Sequence, residues 1–189
     1  MTSTLNQLPV TVRGWPTPSG PQPGIRRPLQ GLGWRNVARP GVLFIVGAHG
    51  GAGEKTLASL DTGWMAAGHS WPQMINHNPA NCVLTARTSA TGLVAAQDTL
   101  AQWASSGAGT SRLLGLVLIP DAPGRLPRPL RDLAQVVAGG APRCWTIPWV
   151  EAWRYGPPTP ETRPQAVRRL VDEIRTLKAT ADEIPSITE

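Results

Sequence analysis

The chain has 189 residues, 41% of them apolar, and a net charge of +6 from 18 basic and 12 acidic side chains. That length suits one domain with tails, at about 150 residues per domain, and no apolar run approaches the roughly 18 residues that a membrane span needs. The first residues lack a charged start followed by an apolar block, so a cytosolic protein is expected; two cysteines and three histidines without paired ligand spacing argue against a disulfide framework and against a metal site.

Residues 1–40 hold seven prolines, five glycines and five arginines (Arg13, Arg26, Arg27, Arg35, Arg39), and no acid. Proline removes backbone donors and glycine raises the entropy cost of ordering, so this density predicts a disordered arm. Trp15 and Trp34 leave two uses open, as docking anchors or as parts of a solvated linker. The clustered arginines make the arm a candidate for weak, salt-sensitive DNA binding.

From Gly41 the pattern alternates between apolar runs and helical periodicity. "GVLFIVG" reads as a strand buried on both faces. In "KTLASLDTGWMAAG" the spacing of Leu57, Leu60, Trp64 and Ala67 predicts a helix stopped by Gly68. "HSWPQM" suits a short strand, and "NCVLTART" a longer one. Next comes a helix with Leu93, Ala96, Leu100 and Trp103 on one face. "RLLGLVLIP", a helix carrying Leu130, Leu133, Val136 and Val137, and the strand "RCWTIPWV" complete the series. Strands separated by helices of this length pair in parallel through right-handed crossovers. The expected fold over residues 41–156 is therefore a three-layer α/β/α domain with a mostly parallel sheet of about five strands. After the breaker "YGPPTPETRP", residues 157–189 are expected to hold an amphipathic helix with the stripe Val167, Leu170, Val171, Ile174 and Leu177. Thr162 and Gln165 read as a capping box. Packing of the helix on the sheet is the expected use, with partner binding as the alternative.

The candidate site is the stretch "VGAHGGAGEKT". A strand, a glycine-rich turn and a helix in that order expose backbone N–H groups and a positive helix end, which together hold anions. The candidate phosphate-loop residues are Gly47, Ala48, His49, Gly50, Gly51, Ala52, Gly53, Glu54, Lys55 and Thr56. The strict pattern G-x-x-x-x-G-K-S/T is absent, because no Gly-Lys pair occurs here. Lys55 stands one residue late, a rotation of about 100° on a helix. Glu54 would face the phosphates of a nucleotide, and two like charges about 4 Å apart at an effective dielectric near 20 repel by about 4 kcal/mol. No acidic residue lies between Gly68 and Asn81 to hold magnesium, and Asp61 reads as a surface residue. His49 is open to two readings, general acid or base and loop histidine bonded to backbone. Arg125 and Arg128 in "DAPGRLPRPLRD" are secondary anion candidates, with solvated loop arginines as the plain alternative.

With "GGAG" set on its G-G-x-G, the stretch resembles the deviant loop of the ParA/MinD family of P-loop ATPases, K-G-G-x-G-K-S/T. On that alignment His49 takes the place of the signature lysine, Glu54 that of the phosphate-binding lysine, and Lys55 that of the magnesium-binding hydroxyl residue. The whole chain resembles still more closely an uncharacterised family of small actinobacterial proteins with a "GAHGGAGE"-type loop, associated with conjugation-like mobile elements. The resemblance implies a P-loop NTPase-like fold and a degenerate site that binds ATP or ADP with magnesium weakly. With those positions changed, the expected function is that of a binding, scaffold or accessory protein with protein partners. An active ATPase using a shifted Lys55/Thr56 pair, and a nucleic-acid-binding module using the basic arm, are the alternatives; no catalytic residue is assigned.

Overall fold

The computed structural model describes residue 18 and residues 20–183. Trp15, Arg13 and the end of the C-terminal tail lie outside the described residues. In chain order the elements are β1 (Gly33–Val37), β2 (Leu43–Gly47), α1 (Glu54–Ala58), β3 (Trp64–Gly68), β4 (Ser70–Met74), β5 (Ala80–Arg87), α2 (Ala90–Ala104), β6 (Ser111–Ile119), α3 (Arg128–Gly139), β7 (Cys144–Thr146) and α4 (Gln165–Glu183), with a 3-10 turn at Glu151–Arg154 before α4.

Five strands form one parallel sheet in the order β3-β2-β5-β6-β7. Because side chains alternate across a strand, each strand feeds two cores. Leu43, Ile45, Val83 and Val117 pack with Leu57 of α1 and with Val167, Leu170, Val171 and Ile174 of α4. Phe44, Val46, Leu84 and Leu116 pack on the other face with Leu93, Ala96, Leu100 and Trp103 of α2 and Val137 of α3. The result is the three-layer α/β/α domain, and the C-terminal helix covers the sheet.

The chain leaves β2 for β3 on one side, then returns across the sheet to β5 and runs outward to β7. This is the flavodoxin-like order of doubly wound sheets, in which the direction of winding reverses between the first and third strands and ligands sit at the carboxyl ends beside that reversal. Here the reversal lies between β2 and β5, and β2 ends at Gly47, where the glycine loop starts.

Several local expectations are corrected. The helix predicted through Ala67 ends at Ala58, and Trp64 and Ala67 belong to β3. An Asp61 turn intervenes, its Oδ1 accepting from the Gly63 N–H at 2.7 Å while the Gly63 carbonyl accepts from Leu43 N–H at 3.0 Å. All four apolar residues are buried, but Leu57 lies in the short helix, Leu60 in the turn after it, and Trp64 and Ala67 in the strand, rather than on one helical face. Thr162 does not cap α4: its hydroxyl accepts from Thr159 N–H and Trp153 Nε1, and the first carbonyl of the helix is that of Pro164. On α3, Val136 is exposed, and the buried positions are Ala134, Val137 and Ala138.

The composition of residues 1–40 predicts an arm without sheet, yet Gly33–Val37 form β1 and pair in parallel with β4. The reason is Gln102 of α2, which is fully buried. Its Oε1 accepts from Leu32 N–H at 2.7 Å and from Trp71 Nε1 at 3.0 Å, and its Nε2 donates to the carbonyls of Leu32 at 2.8 Å and Gly107 at 3.1 Å. One side chain thus satisfies both backbone groups of Leu32, as a neighbouring strand would. With Trp71 and Met74 buried beneath it, the β1–β4 pair fills part of the layer that a crossover helix would occupy between β3 and β5.

Gln102→Leu is expected to lower stability by about 2–4 kcal/mol, because it strands buried donors and acceptors at about 1–3 kcal/mol for each group left unpaired. Urea unfolding and tryptic cleavage after Arg26 and Arg35 measure it. Wild-type stability and unchanged protection of those bonds would contradict the role assigned to Gln102.

Candidate functional site

The glycine loop continues the sheet for one residue beyond β2, with Ala48 N–H donating to Thr85 O at 2.9 Å, and then turns, with Ala52 N–H donating to His49 O at 3.2 Å. Two positions demand glycine. Gly51 and Gly53 have φ of 76° and 93°, in the left-handed region, and a Cβ on Gly53 would also lie 2.6 Å from Ile119 Cδ1. Gly53 O accepts from Leu57 N–H at 2.9 Å and so opens α1.

His49 has both ring nitrogens engaged by backbone. The Arg87 N–H lies 3.1 Å from Nε2; a backbone amide only donates, so Nε2 accepts and the ring proton sits on Nδ1, which donates to Gly50 O at 2.9 Å. Neither nitrogen is left for acid–base work. The first turn of α2 comes close enough that a Cβ on Gly92 would stand 3.0 Å from Nε2 and 2.4 Å from Arg87 O. Of the two readings of His49, the structure has the backbone-bonded one.

Arg87, the last residue of β5, belongs to no sequence motif but lies against the glycine loop. Its Nε donates to Gly51 O at 3.1 Å and its Nη1 to Pro120 O at 2.6 Å, so the guanidinium ties the loop to the end of β6. Beside it Thr88 donates to Asp121 Oδ1 at 2.9 Å, and Thr88 N–H to Ile119 O at 3.1 Å. A charged residue closing an apolar strand next to the winding reversal was the available signal. Arg125 and Arg128 are exposed, and Arg128 lies 3.8 Å from Asp132 one turn along α3.

Around the start of α1 the burial is the reverse of what a phosphate loop needs. Glu54 is only 7% exposed, Thr56 is half-buried, and Lys55 is exposed. The Glu54 carboxylate folds back under the loop: a Cβ on Gly47 would lie 3.1 Å from Glu54 Oε2 and 2.9 Å from Nδ1 of His69. His69 itself contacts Gly47 O at 3.2 Å through Nδ1. A carboxylate in the first helical turn is favoured by the N–H groups there, but α1 has five residues and contributes only a small dipole.

Elsewhere on the same sheet edge, Glu151 gathers Trp149 Nε1 at 2.7 Å, Tyr155 OH at 3.1 Å and Arg154 Nη1 at 3.5 Å. The Trp149 and Tyr155 bonds hold its carboxyl below the usual range, and Glu151 in turn raises the Tyr155 phenol. The thiols are not poised as nucleophiles: burial pushes Cys144 up to about 12 and Cys82 further. A cavity of about 180 Å³ lies at the opposite end of the sheet, lined by Arg39, Phe44, Asn81, Arg112 and Asp182 among others. Among the described residues no group of three His, Cys, Asp or Glu side chains could hold a metal ion.

A family of unknown function, DUF6668, matches residues 41–171, and the chain belongs to that family. No curated protein and no solved structure matches it.

The clamp and the exposed lysine make opposite predictions. His49→Ala removes two backbone bonds and leaves the Arg87 N–H unpaired, at an expected cost of about 1–3 kcal/mol; Lys55→Ala is expected to stay within about 0.5 kcal/mol of wild type. Urea midpoints of the two variants provide the comparison. A neutral His49→Ala would sink the clamp.

Proposed function

We propose that this chain is a P-loop-like α/β domain whose glycine loop has become a structural element, and that it works as a non-catalytic scaffold or accessory protein. The observation that carries the reading is the buried Glu54 carboxylate beneath the loop, at the position where the deviant P-loop pattern has its phosphate-binding lysine. The cations that could have met a phosphate are otherwise engaged or turned outward: Arg87 donates to two carbonyls, His49 is bonded to backbone through both ring nitrogens, and Lys55 is in solvent. Any ATP or ADP bound with magnesium would be held weakly, because Glu54 repels it and the five-residue α1 offers little dipole.

A scaffold acts through protein partners, and the resemblance to mobile-element proteins of actinobacteria suggests a cytoplasmic setting in DNA transfer. No helix among the described residues is long and apolar enough to cross a membrane. The shifted-site alternative gains no observation, since it requires Lys55 to be held against the crevice and Lys55 is exposed.

Calorimetric titration of Mg-ADP and Mg-ATP into the native protein, Glu54→Gln and Glu54→Lys tests the proposal. The native protein is expected to show no micromolar binding, Glu54→Gln a small gain from lost repulsion, and Glu54→Lys the largest gain, with hydrolysis slow in all three. The repulsion removed is at most about 4 kcal/mol, and each 1.4 kcal/mol recovered reads as about tenfold in affinity. Native binding that Glu54→Lys abolishes would make Glu54 a working ligand and overturn the reading.

A further inference from the structure

We infer that the outer edge of β1 is a strand-addition site for an extended, acidic peptide segment of a partner protein. Among the described residues β1 pairs with β4 and with no other strand. The Val37 carbonyl accepts from Ile75 N–H at 3.1 Å, so Val37 faces β4. Backbone groups of alternate residues in a strand point to the same side, so Gly33 and Arg35 also face β4, and the N–H and C=O groups of Trp34 and Asn36 face outward. An edge of this kind is a ready template for another strand.

Two features set this edge apart from one that is merely uncovered. Its N-terminal end is fixed, because Gln102 binds both backbone groups of Leu32 immediately before it and Ala104 O accepts from Gln22 N–H at 2.7 Å. A partner strand therefore pays little ordering entropy on this side. The edge also carries its own anchor: Trp34 is 52% exposed with the Arg27 guanidinium 5.1 Å from its ring centre.

Charge selects the occupant. Arg26, Arg27, Arg35 and Arg39 are exposed on this segment, and the first acidic residue of the whole chain is Glu54. The β4 side adds none, since residues 68–81 contain no Asp or Glu. A second copy of this chain would set arginines against arginines, and like charges across a strand pair are destabilising. Nucleic acid or an anionic bilayer would meet the arginines but leave the outward N–H and C=O groups of Trp34 and Asn36 without strand partners. An extended peptide alternating acidic and β-branched residues satisfies the backbone, the arginines and the apolar anchor together.

The test uses the full chain and a fluorescein-labelled, acetylated eight-residue peptide of alternating Glu and Val, followed by anisotropy. Two further peptides carry N-methyl groups on alternate amides, one for each set. The parent peptide is expected to bind, and the peptide whose blocked amides face β1 to bind about tenfold more weakly or worse. Asn36→Pro, which removes an outward donor and no bond to β4, is expected to cause a similar loss, and Arg35→Glu a loss that a Lys/Val peptide reverses. No binding of the Glu/Val peptide, equal binding of all three peptides, or binding only to oligothymidylate or to phosphatidylserine vesicles would overturn the inference.

Discussion

Three strand ends meet at Arg87, and the shape of the candidate site depends on how they are joined. The Arg87 backbone N–H is taken by His49, and its guanidinium holds Gly51 of the loop and Pro120 after β6. The loop is therefore fixed by hydrogen bonds that the protein makes to itself. In an anion site the loop N–H groups and a nearby cation converge on a ligand; here the cation converges on loop carbonyls. Glu54 follows from the same arrangement. With Gly51 and Gly53 in the left-handed region the chain enters α1 directly, and the first helical side chain turns under Gly47 instead of out of the crevice.

The opposite layer rests on a second buried polar group. A fully buried glutamine is costly unless its amide is paired, and Gln102 is paired with two backbone carbonyls, one backbone N–H and the Trp71 indole. That pairing ties the N-terminal segment to the domain just before β1, whose edge is basic. The glycine loop is thus closed by internal hydrogen bonds, while among the described residues the outer edge of β1 pairs with no other strand.

Much of the architecture was legible because parallel strands buried on both faces are continuous apolar runs, and "VLFIV", "NCVLTA" and "RLLGLVLI" are such runs. The face of α2 was legible for the same reason, its four predicted residues being buried together. The stretch from Leu57 to Ala67 misleads because three-and-four spacing arises there from a one-turn helix followed by a strand, and only the Asp61–Gly63 turn reveals the break. β1 is invisible in a segment rich in proline and glycine, since it pairs with β4, distant in sequence, and the residue before it is bonded by Gln102, some seventy residues away. At the site, Glu54 was conspicuous as an acid in a loop pattern that requires lysine. Arg87 and His69 were not, because their roles arise from neighbours in space and they belong to no motif.

The claim that the glycine loop is closed on itself is tested most directly at His49, by nitrogen-15 NMR of its side chain in the native protein with and without excess Mg-ADP. The expected result is a ring with its proton on Nδ1, Nε2 unprotonated and accepting from Arg87, and no change on adding nucleotide. A proton on Nε2, or resonances of His49 that move as Mg-ADP is titrated, would show that the loop opens to a ligand and would contradict the account.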